Sequence, residues 1–382
     1  MSGILETSSS EILSLRERLE TLEKEIHQAL DSYRSSVDYN AVDAATKVLG
    51  ARSIHQNFNF NYLGERFKDY ELALMNMKQM GYYLGAQEAA RSESVRKTYS
   101  RETPPDVTLA SKLCTQEDCE SDWYSYWLHQ MKLGFLYHRK LWECGYIAQS
   151  LYAHGRLQPG KRGLGFGCGT EPLPSLFAKF GASIVATDLD LDDSTAQKQG
   201  WVESGQHGSS VEMIRQSHIC PDPALLANIG HQFVDMNHIP RSLDEQFDFC
   251  WSACAFEHLG SIDLGLKFVR NSLRTLKPGG VAVHTTEYNL DDKETIDNWP
   301  TVLFQRAHME QMTAELQAEG FIVVPFDFDS GQKILDGLFD LPPWPWEVAE
   351  LAWPMQGMVT YLKTALGGFP CTSVGFTVIR PE

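Results

Sequence analysis

The chain is expected to fold as an α/β protein built on a doubly wound, Rossmann-like parallel sheet. Three observations predict this. A glycine-rich stretch, Gly163-Leu-Gly-Phe-Gly-Cys-Gly-Thr-Glu-Pro-Leu173, joins a short apolar run to an amphipathic one. A second apolar run follows and ends in Asp188, roughly twenty residues past the glycines. From residue 156 onward, strand-like and helix-like segments alternate, the pattern of a parallel sheet covered by helices. A glycine loop answered by an acid at the end of the next strand is how such a sheet holds a nucleoside. The glycines let the backbone approach a ligand closely, and the acid accepts hydrogen bonds from ribose hydroxyls.

The elements follow in order. Residues 164–167 form the first strand. Pro172 suits a helix start, and Leu173, Leu176, Phe177 and Phe180 recur at helical spacing. Residues 183–187, 231–235 and 247–252 read as strands two to four. Leu276-Lys-Pro-Gly-Gly280 reads as a turn feeding strand five at 281–285. Residues 301–319 are helical, stopped by Gly320. Residues 321–328 and 373–379 are two further strands with no strong helix between them. They are separated instead by an insertion over 330–371 that carries Pro342-Pro-Trp-Pro-Trp346.

Upstream, Ile12, Leu15, Leu19, Leu22, Ile26, Ala29 and Tyr33 alternate three- and four-residue steps. That seam, opened by a Ser8/Glu11 capping box, predicts a short coiled coil within residues 1–40 and a homo-oligomer formed through it. Residues 41–155 are rich in aromatics at helical spacing and are expected to form a helical cap ahead of the domain at 156–382.

Composition narrows the function classes. A chain of 382 residues accommodates one large α/β domain and an accessory region. The net charge of −17, with no Lys/Arg run, argues against a nucleic-acid or anionic-membrane partner. The eight cysteines form no C-x-x-C pair, and the Cys114/Cys119 and Cys250/Cys254 spacings fit no zinc site. Reduced thiols, the lack of a signal-like N-terminus and the lack of a long apolar run predict a cytoplasmic, membrane-free protein.

The glycines fall at 163, 165, 167 and 169, and position 172 is proline, so no dinucleotide G-x-G-x-x-G frame fits. No phosphate-binding G-x-x-x-x-G-K-[ST] is present either. The segment Phe166-Gly-Cys-Gly-Thr170 instead resembles the first motif of class I S-adenosylmethionine-dependent methyltransferases. Over residues 156–380 the other stations of that family fall in order: Asp188, Asp235-Met236, Phe247-Asp248 with Ser252 ahead of Phe256-Glu-His-Leu259, and Leu276-Lys-Pro-Gly-Gly280. The resemblance implies an antiparallel last strand, reached through the 330–371 insertion, and S-adenosyl-L-methionine as cofactor. It implies Gly167 and Gly169 at the cofactor, Asp188 on its ribose, and Asp235 with Met236 on its adenine. Gly165, Cys168, Glu171, Leu189 and Ser252 complete the expected cofactor set. Two positions depart from the family: Gly165 stands where an acid is usual, and Glu171 where a third glycine is usual. Glu171 is therefore expected to serve as a substitute carboxylate for the cofactor's ammonium. Flanking segments, among them Tyr137-His-Arg-Lys-Leu-Trp-Glu143 and His284-Thr-Thr-Glu-Tyr-Asn289, resemble bacterial-type methyltransferases associated with glycan assembly. That resemblance implies a small polar acceptor such as a sugar.

Methyl transfer is an in-line displacement. The enzyme must hold the nucleophile about 3 Å from the methyl carbon and, for a hydroxyl, remove a proton. Ligands sit beyond the carboxyl ends of the strands, which selects His258 and His284 as candidate bases, with Glu287 as a further catalytic residue. Asn289, Arg306 and Lys363 are candidate acceptor contacts, and Arg139 and Lys140 could meet an anionic group. His258, His284 and Glu287 are of types that suit a divalent metal, but their spacing does not support one, and none is expected. Methyl transfer to an amine and a catalytically silent cofactor-binding scaffold are the alternatives.

Overall fold

A computed structural model of the chain describes residues 62–96, 102–190, 208, 210–341 and 357–382. The heptad seam, the expected cap residues 41–61 and the Pro-Trp run at 342–346 lie outside the described residues. The chain divides into two compact units, Met1–Asn76 and Met77–Glu382. Of the first, residues 62–76 are described and are helical. The second opens within helix α1 (Tyr62–Arg91) and carries the sheet.

Six principal strands build that sheet: β1 (Arg162–Phe166), β2 (Ser183–Asp188), β3 (Ile229–Phe233), β4 (Phe247–Ala253), β5 (Leu276–Asn289) and β6 (Phe369–Ile379). They lie in the order β6-β5-β4-β1-β2-β3. Every neighbouring pair is parallel except β6, which runs antiparallel to β5 with Phe376 opposite His284. The parallel strands are those the β/α alternation predicts, and the antiparallel late strand is the one the family resemblance implies. From β1 the chain builds outward through β2 and β3, then returns to place β4 on the other side. The strand order reverses at β1, and the crevice beyond the carboxyl ends of β1 and β4 is where such a sheet receives a ligand.

Strand alternation sorts side chains into two cores. Along β4, Phe249 and Trp251 point to one face and Cys250 to the other. Helices α2 (Asp122–Gln130), α3 (Arg139–Ala153) and α4 (Leu173–Lys179) cover the first face, where Trp127, Trp142, Tyr146 and Phe177 meet Trp251 and Val283. Helices α5 (Ile262–Ser272) and α6 (Arg306–Ala318) cover the second, packing Phe268 and Met309 against Phe166, Ala282 and Phe376. Ser121 and Ser261 cap α2 and α5, accepting from the backbone N–H three residues on at 3.3 and 3.2 Å. Segment 102–155 is integral to the first core, and its strand Ser111–Leu113 pairs with β6.

Three boundaries differ from the sequence expectation, each for a local reason. Residues 276–280 are part of β5 itself: Leu276 pairs with Phe247, and Gly279 (φ +73°) absorbs the irregularity. The helix expected from 301 starts at Arg306, because Asn289 donates its backbone N–H to the Phe304 carbonyl (2.8 Å) and holds the preceding residues extended. The strand expected at 321–328 splits into Ile322–Val323 and Phe326–Asp327 around Pro325, which has no N–H to donate. No described helix is long and apolar enough to cross a membrane.

Candidate active site

A cleft of about 630 Å³ opens at the carboxyl ends of β1, β2 and β4. Its floor is the glycine loop. Gly167 and Gly169 adopt φ of +58° and +51°, a region that penalises any Cβ. A Cβ on Gly167 would also stand 2.8 Å from Ala255 and 3.4 Å from the Met236 sulfur across the cleft. The loop is pinned by the Cys168 N–H, which donates to the Thr187 carbonyl at 3.0 Å.

Asp188 ends β2 on the cleft wall. One carboxylate oxygen accepts from the backbone N–H groups of Gly169 (3.1 Å) and Gly208 (2.9 Å), the other from Leu189 (2.9 Å). Asp235, just past β3, caps a short turn by accepting from the Asn237 N–H at 2.8 Å, and its second oxygen lies 2.6 Å from His238 Nδ1. Val234, Met236 and Leu189 supply apolar walls between the two acids. An acid at a strand end can accept from a vicinal diol, and an acid beside an apolar slot can accept from an aromatic amine. The acceptor set therefore fits a nucleoside.

Glu171 lines the cleft, and its Oε1 accepts from the Trp251 indole N–H at 2.7 Å. Burial pushes its carboxyl up to about 8, reinforced by the charges of Asp188 and Glu143. Lys140, on α3, also lines the cleft, with Nζ 3.6 Å from a Glu143 oxygen and its side chain 42% exposed.

His258 lies on the turn after β4 and forms part of the cleft wall. Its Nδ1 is 3.1 Å from the Pro300 carbonyl and 3.1 Å from the Thr301 hydroxyl. A carbonyl only accepts, so Nδ1 carries the hydrogen and Nε2 is the basic nitrogen.

The structure gathers Gly167, Cys168, Gly169, Glu171, Asp188, Leu189, Asp235, Met236 and His258 around one cleft. Gly165 lies beneath its floor, and a Cβ there would strike Cys168 Sγ at 2.3 Å and the Trp251 ring at 2.4 Å. Six expectations need correction. His284 faces the second core, not the cleft, because the period-two alternation of β5 turns it the same way as Ala282. It is fully buried among Phe256, Phe268 and Phe376, with Nδ1 2.8 Å from Ser252 Oγ and Nε2 3.2 Å from Ser272 Oγ. Ser252 is thereby a core partner of His284 rather than a cofactor contact. Glu287 is buried in an ion pair with Arg139. Burial alone would raise its carboxyl, but Arg139 and Lys140 outweigh that and hold it at about 2, too weak a base for proton removal at neutral pH. Asn289 braces a turn, donating to the Glu294 carbonyl (2.7 Å) and accepting from the Asp291 N–H (2.8 Å). Arg306 is exposed and pairs with Glu310 one turn along its own helix. Lys363 is fully buried and donates to the Cys114 carbonyl. Among the described residues, no three metal-ligating side chains converge.

Cys254 is a wall residue that the sequence did not flag. It holds a left-handed backbone (φ +45°) fixed by its N–H donating to the Thr285 carbonyl at 3.0 Å. Strain of this kind concentrates at ligand sites. Gly260, on the same connection between β4 and α5, and Pro300, from a separate loop, also line the cleft. A φ > 0 at a non-glycine residue leaves no trace in composition or spacing.

The His284 placement has a measurable consequence. Burial lowers its pKa from 6.5 to about 3, so the folded state holds it neutral. Its stabilisation is fully present above pH 6.5 and is lost as the pH falls toward 3, at up to about 1.4 kcal/mol per unit. Urea unfolding of His284→Leu should show a flatter decline between pH 6.5 and 5 than wild type. An unchanged slope would place the acid-sensitive group elsewhere.

A nucleoside cleft at the switch point of this sheet, with a glycine loop on its floor and acids on β2 and after β3, is the arrangement that the resemblance to class I S-adenosylmethionine-dependent methyltransferases implies. Residues 138–324, from α3 to beyond α6 and including the cleft, match the family model described as a methyltransferase domain. No curated protein matches the chain. Solved structures with a similar layout include the magnesium protoporphyrin IX methyltransferase of Synechocystis PCC 6803 with bound SAH, at 11% identity, covering 69% of this chain and 86% of that one with a TM-score of 0.37. A S-adenosylmethionine dependent methyltransferase from Mesorhizobium loti overlaps at 16% identity, covering 62% and 98%, with a TM-score of 0.34. At these scores neither likeness carries an argument about this chain's chemistry.

Proposed function

We propose that this protein transfers the methyl group of S-adenosylmethionine to a hydroxyl of a small polar molecule, a sugar being the first candidate. Asp188 accepts from the ribose hydroxyls. Asp235 accepts from the adenine amino group, and Met236, Val234 and Leu189 sandwich the ring. The cofactor supplies a methyl carbon on a cationic sulfonium, so departure of the thioether needs no acid. What remains for the chain is to position the acceptor, exclude water and take one proton.

The observation that carries the hydroxyl reading is His258 on the cleft wall, with the Pro300 carbonyl fixing its tautomer. A hydroxyl must lose its proton to be alkylated, whereas an amine that arrives neutral needs no such base. The experiment supplies S-adenosylmethionine with a tritiated methyl group to a panel of free and phosphorylated sugars, followed by mapping of the labelled atom. Once an acceptor is found, His258→Gln should lower kcat about 10²- to 10⁴-fold with little change in KM. Label on nitrogen, or an undiminished kcat in the variant, rejects the O-transfer reading.

A further inference from the structure

Gly165 and Glu171 each depart from the usual first motif, and the structure shows that one side chain links them. Trp251, two residues before the end of β4, fills the space beside Gly165. A Cβ at 165 would lie 2.4 Å from its Cζ2 and 2.8 Å from its Cε2, so β1 has no room for an acid there. The same indole turns its N–H toward Glu171 and holds Oε1 at 2.7 Å. The ring that excludes a carboxylate from one position thus anchors one at another, six residues along, on the wall of the same cleft.

We infer that Glu171 is the cofactor-positioning residue for the α-ammonium of the methionine moiety, and that ligand binding there drives a proton from its carboxyl into solvent. The proposal rests on the cofactor assignment above. The surroundings of Glu171 explain the proton. Cys168 and Asp188 face it from the glycine loop and the end of β2, Glu143 and Cys144 from α3, and Trp251 from β4. Burial raises the Cys168 and Cys144 thiols well above their usual range, so they stay protonated and bring no cation. Asp188 and Glu143 repel a second negative charge. The surroundings of Glu171 therefore hold it as the acid until a ligand ammonium arrives beside it. An ammonium reverses the balance, since a positive charge within a few Å favours the carboxylate. Lys140 lines the same cleft and offers the opposite charge to the ligand's carboxylate, so the two side chains suit a zwitterion. The proton passes from the Glu171 carboxyl to water, and no covalent bond of the ligand changes.

The test is calorimetric titration of the full chain with S-adenosylhomocysteine between pH 6 and 7.5, in buffers of different ionisation heat. Wild type should release close to one proton per site, with affinity rising up to about tenfold per pH unit. Glu171→Gln should bind with no proton release and a flat pH profile. Trp251→Phe keeps the ring but deletes the donor, and should weaken binding while preserving proton release. Wild-type binding without proton release, or equal release in Glu171→Gln, overturns the proposal and leaves the cofactor assignment standing. No binding to folded wild type at any pH overturns both.

Discussion

Asp188→Ala should lower affinity for S-adenosylhomocysteine by about a hundredfold or more, since two charge-assisted hydrogen bonds to a ribose diol contribute about 1.5–3 kcal/mol each. The effect is large because the carboxylate is preorganised. Three backbone N–H groups already hold it at the end of β2. The ligand therefore meets a fixed acceptor and loses little freedom in ordering it. The side chain also tethers the glycine loop through Gly169, so alanine relaxes the floor as well as deleting a contact. Asp188→Asn separates the two effects. The amide keeps one acceptor oxygen of similar shape, and its binding loss should be intermediate. Calorimetry on wild type and both variants, with circular dichroism to confirm folding, decides the matter. An alanine variant that binds within threefold of wild type would remove Asp188 from the site, and the silent-scaffold alternative would come forward.

What the sequence revealed and what it hid divide along a physical line. The sheet was legible because the β/α alternation is local and the glycine loop, Asp188 and Asp235 sit at strand ends, where chain position alone fixes which end of the sheet they share. The same logic failed along β5. His284 and Glu287 both read as lying at the carboxyl end of a strand expected over 281–285, but the strand extends through Asn289. Its extra length keeps both residues within the sheet, and alternation then decides which face each one meets. Strand length and face cannot be read where a run such as Val281 to Asn289 is buried on both sides and shows no polar alternation. Lys363 failed for another reason. A lysine reads as exposed, and only the tertiary fold could show its ammonium against the Cys114 carbonyl with Asp336 at 3.9 Å. In the sequence Trp251 is only one residue of the strand read at 247–252. Its control over positions 165 and 171 comes from contacts across β1 and β4 that no linear spacing records.

The largest stability loss is expected at Arg139. The residue is 4% exposed, and its guanidinium bonds Glu287, Glu143 at 3.3 Å and the Ser373 hydroxyl at 3.2 Å, drawing α3, β5 and β6 together. The two carboxylates are buried with it, and Glu143 also accepts from Ser373. Removing the cation strands two negative charges in a low-dielectric site. Breaking a buried pair from one side costs about 3–5 kcal/mol, far more than an exposed pair would. Arg139→Met, which keeps much of the packing, should therefore lower the urea midpoint sharply at pH 7. The loss should shrink as the pH falls, because Glu287 can then protonate instead of remaining a buried unpaired charge. Glu287→Gln added to Arg139→Met should recover part of the loss, since it deletes one of the stranded charges. The same network borders the cleft through Lys140, whose Nζ shares Glu143 at 3.6 Å. A destabilised Arg139 variant should accordingly also bind S-adenosylhomocysteine more weakly, even though Arg139 does not itself line the cleft. Equal stability of Arg139→Met and wild type at pH 7 would show that the two carboxylates are protonated or hydrated in the folded protein, and that the ion pair does not organise this corner.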